Sequence, residues 1–130
     1  MSAARRVESF LDLAAADAAA EILLATSQNR YAAFHCQQAI ERLVKAILLQ
    51  RGIEAGVEHH LDVLIGKLAD ADPWKARVKP FEFYSPFATA WRYPSPGGRL
   101  PVVPAPSAVS SDARQIELLI QDARSDLKGP

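Results

Sequence analysis

The sequence predicts an all-α fold, an antiparallel up-and-down bundle of four main helices with a long crossover rich in proline and aromatic residues before the last helix. Three observations lead to it. Apolar side chains recur at intervals of three and four along four separate segments, and glycine and proline cluster between those segments. The third is length, since 130 residues suit one hydrophobic core, so a single domain over residues 1–130 is expected.

From Ser9 to Ala25, strong helix formers surround Phe10, Leu13, Ala14, Ala18 and Ile22 at helical spacing, which predicts a first helix. Its many alanines allow a neighbouring helix to approach closely. Thr26 to Asn29 supply a polar break and capping chemistry. Beyond them Cys36, Ile40, Leu43 and Ile47, widened by Ala39, Val44 and Leu48, predict a longer second helix to about Gln50. Gly52 and Gly56 are placed to end it, because glycine adopts the left-handed conformation of helix ends without steric cost.

Leu61, Leu64, Ile65 and Leu68 predict a short third helix over His59 to Leu68, stopped before Pro73. Between Pro73 and Pro106 the texture changes, with eight of the nine prolines and both tryptophans falling there. Trp74, Phe81, Phe83, Tyr84, Phe87, Trp91 and Tyr93 carry too much apolar surface for a linker, so this crossover is expected to be packed, with a short helix near Pro86 to Trp91. Pro94 to Pro106 reads as a surface loop. Ser110, Ser111 and Asp112 then look like caps ahead of Ile116, Leu119, Ile120, Ala123 and Leu127, a final helix ending at Gly129.

Fifteen basic residues balance fifteen acidic ones, so no global field draws the chain to nucleic acid or to an anionic membrane, and any phosphate site must be local. The single cysteine, Cys36, excludes an intramolecular disulfide and a cysteine-based zinc cluster, and suits a reduced compartment. No segment reaches the roughly 18 consecutive apolar residues of a membrane span, and the N-terminal stretch is broken by Asp12, Asp17 and Glu21, so no signal peptide is read there. A cytoplasmic protein is expected.

Three segments carry a family resemblance. The run Arg30-Tyr31-Ala32-Ala33-Phe34-His35-Cys36-Gln37-Gln38-Ala39-Ile40-Glu41-Arg42-Leu43-Val44-Lys45-Ala46-Ile47-Leu48 resembles the second helix of HEPN domains, with their Gln-Gln-Ala-x-Glu core and following Lys-Ala pair. His59-His60-Leu61-Asp62-Val63-Leu64 is similar to that family's His-x-Leu-x-x-Leu opening of the third helix, and Trp91-Arg92-Tyr93-Pro94 to its Arg-Tyr-Pro element. The resemblance spans roughly Tyr31 to Pro94. It implies an antiparallel helical bundle, frequent homodimerisation, nucleotide binding and frequent pairing with minimal nucleotidyltransferases, as in toxin-antitoxin-like systems or accessory subunits. Many members are also toxins that cleave RNA.

One departure bears on that activity. RNA-cleaving members carry Arg-x(4 to 6)-His near the start of the late helix, whereas the three histidines here are His35, His59 and His60, all before Arg92. Arg30 and His35 match the spacing on the second helix, but five residues turn the helix by about 500°, leaving the two side chains roughly 140° apart. No catalytic residue is therefore assigned, and no cofactor or metal is implied.

The candidate binding residues are Arg92, Tyr93, His59 and Lys45. Arg92 offers fixed donors to a phosphate and Tyr93 a ring to stack a base, or Arg92 caps carbonyls of the crossover while Tyr93 fills core. His59, at the opening of a helix, supplements an anion site there or makes a structural hydrogen bond to the crossover. Gln37, Gln38, Glu41 and Lys45 read either as a solvated face with a Glu-to-Lys pair worth about 0.2 to 0.5 kcal/mol, or as a polar dimer seam or pocket wall. Pro96-Gly97-Gly98-Arg99 reads as a turn, lacking the context of a phosphate-binding loop. Together these suggest a homodimeric module that binds a nucleotide or a nucleotidyltransferase partner, with RNA a less favoured partner and no membrane role. A metal-independent ribonuclease and a purely structural dimerisation subunit are the alternatives.

Overall fold

The computed structural model describes residues 2–24, 29–88 and 104–127, and all the secondary structure among them is helical. Helix α1 runs from Ala3 to Leu24, α2 from Asn29 to Gln50, α3 from Leu61 to Gly66, α4 from Pro73 to Val78, and α5 from Pro106 to Asp126. A 3-10 segment over Lys79–Ala88 follows α4 directly.

Helix α1 begins six residues before the expected Ser9. Ser2 caps it, its Oγ accepting the Arg5 amide at 3.2 Å, and the helix formers Ala3 to Arg6 carry the turn onward. The early start buries Val7 and Leu11 beside Ala14 and Ala18, whereas Leu13, expected in the core, is about half exposed. Arg6 and Phe10 lie by Lys45 and Leu49, and Asp17 lies by His35 and Arg42, so α1 and α2 are antiparallel. Val7 lies by Leu127, and Ala15 by Glu117, so α5 returns antiparallel to α1.

The end of α2 follows the expectation in detail. Gly52, at φ +74°, donates to Leu49 O at 3.0 Å, and Ile53 donates to Leu48 O at 2.8 Å. That pair of bonds is a Schellman closure, and Ile53 packs its side chain onto the core as the arrangement requires. Gly56 repeats the positive φ in the loop that leads to α3.

The fourth position of the bundle is built differently from the expectation of one helix and an irregular crossover. It is assembled from α3, α4 and the 3-10 segment, each too short to cover the core alone. Helicity resumes earlier than expected, at Pro73, where Asp72 accepts the Trp74 amide at 3.0 Å and Pro73 occupies the first turn; of the helix expected near Pro86 to Trp91, Pro86 to Ala88 lie in the 3-10 segment and the rest lies outside the described residues. Trp74, Phe81, Tyr84 and Phe87 are buried, as the packed-crossover reading requires, while Phe83 is half exposed. Trp91, the Pro94–Pro106 loop up to residue 103, and Gly129 lie outside the described residues.

Helix α5 also starts earlier than expected. Pro106 occupies its first turn, so Ser110, Ser111 and Asp112 lie inside the helix and do not cap it. Val109, Ala113, Ile116, Ile120 and Ala123 form its buried stripe. The shared core is aliphatic along α2, where Ile40, Leu43, Val44, Ile47 and Leu48 are fully buried, each contributing on the order of 1.5–3 kcal/mol of transfer free energy.

Candidate functional site

Helix α2 turns its polar residues inward at one place. Gln37, Glu41 and Lys45 follow one another at intervals of four, one above the next on a single face, and all three are buried. The solvated-face reading of this stretch is thereby overturned, because the loop after α2 folds back over the face within the same chain. Glu41 is the hub. Its carboxylate accepts from Gln37 Nε2 at 2.9 Å, from Lys45 Nζ at 3.2 Å and from His59 Nδ1 at 3.1 Å.

Taking a carboxylate and an ammonium out of water costs several kcal/mol per ion, and such a pair persists only when further hydrogen bonds satisfy it. Gln37 supplies them. Its Nε2 also donates to the carbonyl of His59 at 3.2 Å, and Gln38 donates to its Oε1. The segment just before α3 is thus fastened to α2 by both backbone and side chain of His59.

Among the described residues the partner of the His59 ring is Glu41. Because a carboxylate only accepts, the imidazole carries its proton on Nδ1, and Nε2 is the atom left to meet solvent. The side chain is 60% exposed, in contrast to the 6% of Glu41 behind it. Lys45, one of the predicted phosphate-binding residues, is 10% exposed with its ammonium committed to Glu41.

The backbone amides in front of α3 are also occupied. Glu58 accepts the amides of His59 and His60 at 3.1 and 3.0 Å and the imidazole of His60 at 2.7 Å. These bonds, the His60 amide foremost, hold the Glu58 carboxyl down at about 2. Ser85 Oγ accepts the next amide, that of Leu61, at 2.9 Å. A carboxylate therefore sits where the helix-opening reading of His59 would have placed a bound anion. His60 is exposed.

Of the four predicted residues, His59 and Lys45 converge on one carboxylate. Arg92 and Tyr93 lie outside the described residues. Among the described residues no group of three or more histidine, cysteine, aspartate and glutamate side chains is arranged to hold a metal ion.

A second polar cluster joins α1 to α2. Asp17 accepts from His35 Nδ1 at 2.9 Å and from Arg42 Nη1 through its other oxygen. Sequence reading missed it because Asp17 looks like a polar interruption of an alanine-rich helix, and only the antiparallel pairing of α1 with α2 brings it to His35. A third contact, Tyr84 Oη donating to Asp112 at 2.7 Å, links the 3-10 segment to α5.

The HEPN domain family model matches residues 14–125, most of the chain, and the chain belongs to that family. Among curated proteins and among solved structures, no significant match is found. The helical architecture agrees with the membership, and no described helix is long and apolar enough to cross a membrane. In general terms the family places the chain among nucleotide-binding or ribonuclease-like modules.

Proposed function

We propose that this chain is a nucleotide-binding module of the HEPN type and does not act as an independent catalyst. The observation that carries the reading is the pairing of His59 with Glu41: a buried carboxylate fixes the proton on Nδ1 and leaves an exposed ring edge at a fixed position. An imidazole held this way meets a phosphate oxygen or a ribose hydroxyl without having to be ordered on binding. Lys45 acts behind it, steadying Glu41 more than touching ligand. Arg92 and Tyr93, outside the described residues, carry the group types such a ligand calls for, a guanidinium for phosphate and a ring for the base. A second copy of the chain and a minimal nucleotidyltransferase are the protein partners that the family suggests for such a module.

Calorimetric titration of the purified protein with a panel of nucleotides tests this. Micromolar binding that is lost in Arg92→Ala and weakened about tenfold in His59→Ala is expected. Absence of binding by well-folded wild type, alone and mixed with a candidate nucleotidyltransferase, would sink the reading.

A further inference from the structure

We infer that Gln37 is a positioning residue for His59, setting which ring nitrogen carries the proton and where the other nitrogen points, without itself meeting a ligand. The starting point is an amide with no freedom left. Gln37 is fully buried, and both hydrogens of its Nε2 are committed, one to Glu41 Oε1 at 2.9 Å and one to the His59 carbonyl at 3.2 Å. Its Oε1 accepts from Nε2 of Gln38. Because a carboxylate and a carbonyl only accept, the amide fits one way round alone, with its nitrogen toward His59.

These bonds close a circuit through a single residue. Glu41 holds the His59 ring at Nδ1 through Oε2, while Gln37 holds the His59 main chain and also binds the other oxygen of the same carboxylate. With its carbonyl and its ring both tied, His59 cannot turn about its two side-chain torsions without breaking a hydrogen bond to a charged acceptor.

Lys45 shows why the carboxylate needs Gln37. Its ammonium carries three donors and binds the same Oε2, at 3.2 Å. The terminal torsion of a glutamate is broad, so without Gln37 on Oε1 the carboxylate is free to swing both oxygens onto Lys45. His59 would then lose the acceptor that fixes its tautomer, and the ring, 60% exposed, would take its proton position from water. A glutamine that merely filled space under the loop would not have to bond both the main chain of His59 and the partner of its ring. The loop has a separate fastener in Lys67, whose ammonium donates to the carbonyls of Glu54 at 3.2 Å and Ala55 at 3.5 Å.

The consequence for binding rests on the proposed reading of His59 as the ligand-facing residue, whereas the tautomer belongs to the free protein, so the two fail separately. The test is the pair of ring nitrogen resonances of His59 in ligand-free protein at alkaline pH, where an imidazole is neutral. Wild type should hold the proton on Nδ1 over Nε2 by at least about tenfold, a ratio that a hydrogen bond to a charged acceptor sustains. Gln37→Met, which keeps the volume and removes both donors, should bring the two forms to within about threefold of each other. Lys67→Ala, which loosens the loop alone, should leave the wild-type ratio. Gln38→Ala, which unlocks the amide from its far side, should fall between and serves where Gln37→Met does not fold. An unchanged ratio in folded Gln37→Met, or in Gln38→Ala where it stands in, overturns the inference, as does an equal loss in Lys67→Ala. If the tautomer responds as expected and wild type binds no nucleotide, the proposed function falls and the positioning role stands.

Discussion

Tyr84 donates its hydroxyl to Asp112 across 2.7 Å, and the ring that carries this hydroxyl is entirely buried between the 3-10 segment and the rest of the bundle. Burial, first of all, pushes the phenol well above its ordinary value near 10. The unfolded chain loses that proton at the ordinary value and the folded chain does not, so the contribution is present below about pH 10 and is lost as pH rises beyond it. Tyr84→Phe should destabilise the protein by about 1–2 kcal/mol at neutral pH, since Asp112 is left without its donor. Above pH 10 the wild type should lose stability faster than the variant, as read by urea denaturation at a series of alkaline pH values.

Glu41 and Lys45 should be strongly coupled. Glu41→Gln leaves a buried ammonium without its counter-charge and should cost about 3 kcal/mol. Adding Lys45→Met should recover much of that loss, because the double replacement removes both desolvated charges together. Chemical denaturation of the two single variants and the double variant measures the coupling directly. Equal and additive losses would contradict the description of Glu41 as the hub.

Asp72 both caps α4 and binds Arg51, whose guanidinium lies 3.0 Å from its Oδ2. That hydrogen bond, ahead of the Trp74 amide, holds the carboxyl below its ordinary 3.8. A depressed carboxyl stabilises the fold above its unfolded value, and the stabilisation fades as pH falls through 3.8 and lower. Asp72→Asn keeps an acceptor for the cap but not the charge, so it should cost about 1 kcal/mol at pH 7. Thermal melts at pH 7, 4 and 2.5 should show the two proteins converging as the acid carboxyl protonates.

Gly52→Ala tests the end of α2. Nothing lies within 4 Å of the position an added Cβ would take, so any loss comes from backbone conformation alone. At φ +74° an L side chain is strained, and a cost of about 1 kcal/mol is expected from thermal denaturation. A change near zero would mean that the loop adopts another closure.

Much of the bundle was legible because its cause is local. The stripe Ile40, Leu43, Ile47 and the closing Gly52 act within a turn or two, and both behave as their spacing suggests. The short helix at Pro73 is signalled by the Asp72-Pro73 pair, a cap followed by a proline at the start of a helix, where its missing amide costs nothing, but in a proline-dense segment that signal has the same texture as a loop. Pro106 hid the start of α5 for the same reason. The site was harder. Glu41 and Lys45 show the same spacing whether a helix face is wet or covered, and what covers them is the loop to His59, eighteen residues beyond Glu41. Asp17 and His35 are likewise eighteen residues apart, joined by an interhelical contact that periodicity does not encode.

The bond from the Leu61 amide to Ser85 ties the first turn of α3 to a residue twenty-four positions later. Six residues cannot sustain a helix in water, since nucleation is too unfavourable for so few propagating bonds. Residues 61–88 should therefore open and close as one cooperative unit, with the α3 amides exchanging with deuterium at the rate set by the 3-10 segment. His59 stands at the border of that unit. Loosening a ring as remote as Phe87 should then be felt as a change in how long the imidazole stays docked on Glu41, which makes the packing of the aromatic segment a timing element for the solvent-facing edge of His59.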